Sequence, residues 1–207
     1  MSGPARLISL PMADWQSAPA REVVRGPMVA AEIESHDAQR WLALAAPGGE
    51  ASAMLEEIYG ATAREIEARG PACWASARCC HFEATGHRLY VAGLEAAYTL
   101  ARLDEGTRER LRGSALGHAW RAGTCAFLSG NLCGAHAIKP LGCRVYFCDR
   151  SAQDWQQDLC ERMLARVREA HDRTGAAYLY GEWRALLAGI LRAGEARAGA
   201  SAASERE

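Results

Sequence analysis

CWASARCCH, residues Cys73 to His81, places three cysteines within eight residues, two of them adjacent, in a chain that carries eight cysteines in all. Three chemistries compete for such a run: structural disulfides, a nucleophile or redox pair, and thiolates gathered around a metal. Length and compartment separate them. A chain of 207 residues can bury a real hydrophobic core and has little need of disulfide staples. The opening MSGPARLISLPMADWQ has no uninterrupted apolar stretch of signal-peptide length, and no segment approaches the roughly 20 apolar residues of a membrane span. The expectation is a cytoplasmic protein, where clustered cysteines hold metal or do redox chemistry rather than form structural disulfides.

The formal net charge is -1, and Lys139 is the single lysine. With acids and bases balanced and no basic stripe, neither nucleic acid nor a membrane surface is an expected partner. An unidentified protein or small molecule is.

Working outward from Cys73, Met54, Leu55, Ile58, Tyr59 and Ile66 share one helical face between Glu50 and Arg69, and Gly70-Pro71 ends the pattern. This helix delivers the chain to the first cysteines. Upstream, residues 1–48 contain Pro4, Pro11, Pro19, Pro27 and Pro47 with little periodicity, so an irregular N-terminal arm is expected. Downstream, HRLYVA (87–92) is a strand candidate and GLEAAYTLARL (93–103) a helix. In CAFLSGNLC (125–133), Ser129-Gly130-Asn131 between apolar flanks predicts a small hairpin. Ser151 and Asp154 are spaced as a capping box, with Trp155, Leu159, Met163 and Val167 repeating every four residues behind them. A second helix is expected from about Ala177 to Arg192, its YLYGEW run serving as helical packing. The sequence therefore predicts a mainly α fold. A compact, loop-rich cysteine-cluster domain with a small β-hairpin (49–150) is buttressed by a C-terminal helical pair (151–193), and 194–207 form a disordered tail.

Seven cysteines, Cys73, Cys79, Cys80, Cys125, Cys133, Cys143 and Cys148, lie between residues 73 and 148 in the patterns C-x5-CC, C-x7-C and C-x4-C. Short loops of this kind can turn two sulfurs toward one point, as a tetrahedral thiolate site requires. Pro140 favours a helix start that places Cys143 in a first turn, where backbone N–H groups support a thiolate. Five positions on a continuous helix would leave Cys143 and Cys148 roughly 140° apart. A short helical turn at 140–146, followed by a loop carrying Cys148, is therefore expected.

Residues 70–150 resemble the YkgJ-like cysteine-cluster family described as zinc- or iron-chelating, whose signature reads C-x2-C-x2-CC, then C-P-F-L…C-x-I-Y-x-x-R-P-x-x-C-R. Cys73, Cys79, Cys80, Cys125, Phe127, Leu128, Cys133, Pro140, Cys143 and Arg144 match it. Ser76 stands where the second cysteine would be, Ala126 replaces the proline, His136 the tyrosine and Lys139 the arginine. Similar clusters occur in flagellin lysine N-methylases, where an iron–sulfur centre is implied. The loss at Ser76 is tolerable, because seven cysteines still exceed the four needed by one zinc or one 4Fe-4S cluster.

Neighbouring side chains such as Cys79 and Cys80 usually diverge, which favours a 4Fe-4S cluster over zinc, since several metal atoms spread the ligands over a wider volume. Zinc in a binding or metal-maturation factor is the alternative to redox or modification chemistry on a cluster. Cys160, on the C-terminal helix, reads as a buried apolar thiol. His81 and His136 are nitrogen ligands or neighbours of the ligand set. Glu95 and Arg144 are open to a role toward a substrate, with a surface salt bridge or helix-end contact as the plainer reading of each. G-x-S-x-G, Walker and dinucleotide-binding fingerprints are missing, and a Cys79 or Cys80 nucleophile activated by His81 would leave the other cysteines unexplained.

Overall fold

The structure is a computed structural model that describes residues 28, 30–71, 76–147 and 152–204, with side chains through residue 194. Its elements follow in order as α1 (Ser35–Ala45), α2 (Glu50–Arg69), α3 (Phe82–Thr85), β1 (Tyr90–Ala92), α4 (Gly93–Ala101), α5 (Glu105–Arg110), α6 (Leu116–Ala122), β2 (Leu128–Ser129), β3 (Leu132–Cys133), α7 (Leu141–Val145), α8 (Gln153–Thr174), β4 (Tyr180–Glu182) and α9 (Trp183–Ser204). The fold is mainly α with two small antiparallel sheets, β1 with β4 and the hairpin β2–β3.

Helix α2 has the bounds its pattern predicts, burying Leu55, Ile58, Tyr59 and Thr62. It ends at Gly70, whose left-handed backbone (φ 59°) donates to the Ile66 carbonyl. Helices α2, α7 and α8 pack as one group and α1, α4 and α9 as another. Leu55, Leu94, Leu100, Leu159, Leu186 and Ile190 join both groups in one apolar core. The C-terminal helices thus complete the same core as the cysteine-bearing segments, instead of bracing it from outside.

Three expectations fail. Ser35–Ala45, expected within an irregular arm, is helical, because Ala38, Trp41 and Ala45 form a narrow apolar stripe that α4 and α9 cover. Trp41 is 1% exposed, and its indole N–H donates to the Ala177 carbonyl at 3.0 Å. Gly93 is required beneath that ring, since a Cβ there would stand 2.8 Å from it. Tyr180–Glu182, expected within a helix, is a strand in register Tyr90↔Glu182, Val91↔Gly181 and Ala92↔Tyr180. The helix starts only at Trp183, where Glu182 accepts from the Ala185 N–H at 2.9 Å and caps it. The tail is helical through Ser204, as its alanine-rich composition permits, and not disordered from residue 194. Most of the arm, and the Ser151 of the expected capping box, lie outside the described residues.

Arg184 is fully buried between the rings of Phe82 and Trp120. Its guanidinium meets Glu182 at 2.7 Å, Glu83 at 3.2 Å and the Thr124 carbonyl at 3.3 Å. One cation thereby ties α9 to α3 and to the residue before Cys125. Removing it strands two carboxylates in the interior, so Arg184→Ala is expected to lower unfolding free energy by about 3 kcal/mol in urea titration.

Candidate metal centre

The first described cysteines ride on a single 3-10 turn, Arg78–Cys80, entered through Ala77 in the left-handed region (φ 56°). That tight turn answers the difficulty of adjacent ligands: it brings the Cys79 and Cys80 sulfurs to 3.9 Å. The second group is fastened to the first through the backbone, where Cys125 N–H donates to the Cys80 carbonyl at 2.8 Å. From Cys125 the chain enters the predicted hairpin, with Leu128 opposite Cys133 and Gly130 turning at φ 58°. Cys133 is thereby folded back beside Cys125. Cys143 lies in α7, the short helical turn expected there, with Pro140 at its N-cap. Gly142 lets α7 lie against β1, since a Cβ would come within 2.8 Å of Leu89 Cδ1.

Cys80 is the hub, its sulfur interacting with those of Cys79, Cys125 and Cys133. Cys143 feels the charges of Cys125, Cys79 and Cys133. Of the predicted ligands, Cys73 and Cys148 lie outside the described residues, and the other five are gathered in one region as free thiols. Cys160 stands apart in α8, half-buried, with its thiol pushed up by burial and by Glu95 and Glu161. Among the described residues, no three His, Cys, Asp or Glu side chains form a ready-made metal-holding group.

The thiols divide their protons unequally. The neighbouring Cys125, Cys133 and Cys79 thiols, and burial after them, push the Cys80 thiol up. Cys80 in turn lowers Cys79 to about 7 and Cys133 to about 6 against the cost of burial, with the Lys139 charge adding to both. Cys125 is lowered by Cys80 first, then by the Phe127 N–H and the Trp183 indole. Trp183 Nε1 is buried with no hydrogen-bond partner of ordinary geometry, so supporting the Cys125 thiolate is its polar role. Cys143 is held up by burial and by its sulfur neighbours. Soft sulfur donors, two of them poised to ionise near neutrality, fit a thiophilic metal.

Glu95 was open to reading as a surface salt bridge; it is instead 1% exposed, a helix-end contact placed in the core. Its carboxylate accepts from Ala92 N–H at 3.1 Å, Leu141 N–H at 2.7 Å and the Tyr59 hydroxyl at 3.2 Å, fixing the starts of α4 and α7. Glu95 therefore positions the helix that carries Cys143. Its place three residues after a strand end was the available signal, and its burial had none. Arg144 stacks over Tyr59, with its guanidinium carbon 4.1 Å from the ring centre, and donates to the Ala137 carbonyl at 3.1 Å. His136 contacts Lys139 Nζ at 3.3 Å, and neighbouring positive charge lowers its pKa.

Two cavities meet at the cluster. The larger, about 520 Å³, is bounded by Cys79, Cys80, Cys133 and Cys143, with Ser76 also on its wall. The smaller, about 210 Å³, has His87, Tyr90 and Tyr180 on its wall. Cys79, Cys143 and Tyr146 line both and form the partition between them. No protein-family model, curated protein or solved structure matches the chain.

In metal-free protein, Cys79 and Cys133 are expected to react with iodoacetamide at lower pH than Cys143 and Cys160. Peptide mass spectrometry across pH 5–9 reads this order, and equal midpoints for all four would contradict it.

Proposed function

We propose that the chain is a metal-binding cysteine-cluster protein whose thiols hold a 4Fe-4S centre used in redox or modification chemistry. The observation that carries this reading is the convergence of Cys79, Cys80, Cys125, Cys133 and Cys143 on one region from three separate segments. Dispersed core cysteines have no reason to meet in this way. Cys73 and Cys148 adjoin those segments in sequence, so the thiols outnumber the four that one cluster needs. The resemblance of residues 70–150 to zinc- or iron-chelating cysteine-cluster proteins points the same way.

When bound, such a centre supplies one-electron redox chemistry or an open iron for substrate ligation. The protein's own share is to hold and tune it. Cys79, Cys80, Cys125, Cys133 and Cys143 are the described thiols that would hold it, and Lys139 offsets negative charge at Cys79 and Cys133. The cytoplasm, where thiols stay reduced, is the proposed location. None of the described helices is long and apolar enough to cross a membrane.

One distance favours a second reading. Tetrahedral zinc with bonds of about 2.3 Å spaces its sulfurs about 3.8 Å apart, close to the 3.9 Å between Cys79 and Cys80. Zinc would make the protein a binding or metal-maturation factor.

Protein purified without oxygen is expected to be brown, with about four irons and four sulfides per chain and a reducible paramagnetic signal. A colourless protein with one zinc per chain assigns the second reading, and a metal-free protein as isolated sinks both. Cys80→Ser, Cys125→Ser and Cys133→Ser should each lose most of the metal and melt at lower temperature, while Cys160→Ser keeps both.

A further inference from the structure

We infer that the larger cavity is a binding site for a small amphipathic carboxylate, held by Lys139 and Arg144 at its charged end and by aromatic side chains along its body. Its role as a substrate site rests on the metal-centre reading; the binding itself does not.

The cavity's volume of about 520 Å³ falls within the roughly 300–1,000 Å³ typical of small-molecule sites. Tyr59, Ile66, Tyr146 and Phe147 give it an apolar, largely aromatic wall, and Leu132, 69% exposed on the hairpin, stands at its edge. Against that wall stand two permanent cations. Lys139, half-buried and the single lysine of the chain, meets the His136 ring and no other hydrogen-bond partner among the described residues, and His136 lines the cavity too. Arg144 spends one nitrogen on the Ala137 carbonyl and its face on Tyr59, while its Nε is buried without a partner.

Among the described residues neither cation is paired with a carboxylate, whereas the buried or half-buried Arg102, Arg108, Arg166 and Arg184 each meet one. The buried Arg144 Nε lacks a partner among the described residues and Lys139 stands on the same wall, so an anion bound there would meet both. Glu67, also on the lining, makes a doubly charged phosphate the poorer fit. A single carboxylate with an apolar body satisfies both the charge and the wall. So placed, it would lie beside Cys79 and Cys133, the two thiols that feel the Lys139 charge.

The test is calorimetric titration of the full-length protein, isolated with its metal, using 3-phenylpropionate as the probe and neutral 3-phenylpropanamide and inorganic phosphate as controls. Saturable binding of the carboxylate is expected, at least about tenfold tighter than the amide or phosphate, because charge-assisted contacts supply the difference. Lys139→Met should weaken the probe by about tenfold and Lys139→Arg should largely restore it. Metal content measured on the same samples separates the two readings: carboxylate binding by metal-free protein supports the site and removes the metal centre. No saturable binding, equal binding of the amide, or an unchanged Lys139→Met affinity overturns the proposal. So does a Lys139→Met protein that loses metal when the wild type never bound the probe, for the lysine then only balances the charge of the centre.

Discussion

The Glu95 carboxylate sits where three helices meet, and the geometry of the site depends on it. One oxygen receives the first amide of α7 and the phenol of α2; the other receives the amide that precedes α4. Taking a carboxylate out of water costs several kcal/mol, and each charge-assisted hydrogen bond returns roughly 1.5–3 kcal/mol. Burial wins the balance over the proton: it holds the Glu95 carboxyl above the usual carboxylate range despite the donors around it. Because the folded protein holds that proton more tightly than the unfolded chain, the contribution of Glu95 to stability declines as pH rises from the ordinary carboxylate range through the raised value. What this buried charge provides is position. Without it α7 has no fixed start, and Cys143 no fixed place.

Arg184 does for the other cysteines what Glu95 does for Cys143. It binds α3, which follows the Cys79–Cys80 turn, to the strand end that starts α9 and to the residue before Cys125. The main-chain bond from Cys125 to Cys80 then sets the two groups at a fixed separation. Five thiols crowded without metal must either share protons or repel. Cys80, pushed up beside the lowered Cys79, Cys125 and Cys133, is the first outcome.

Much of this was legible from residue pattern. The α2 face, the helix after HRLYVA, the SGN turn and the short helix at Pro140 each announced themselves locally, because period, turn chemistry and proline act within a few residues. The misread segments lack such local signals. Tyr180–Glu182 sits next to a strongly helical run and is a strand only because β1 offers its edge. Trp41 lies between prolines and is helical because α4 and α9 cover its stripe. Glu95 and Arg184 look like ordinary charged helix residues, and nothing in their neighbours in sequence marks them as buried.

The sequence by itself determined the class of the fold, the span of α2 and the set of residues from which any metal centre must be drawn, since cysteine spacing and apolar period are properties of the chain. Tertiary structure alone decided that Cys80 stands at the centre of the thiols and that Lys139 and Arg144 line a cavity beside them. The reason is physical: sulfur contacts, buried charges and cavities arise between residues far apart in the chain. The Cys125–Cys80 main-chain bond, the hairpin and the packing of α7 against α2 and α8 bring those residues within reach.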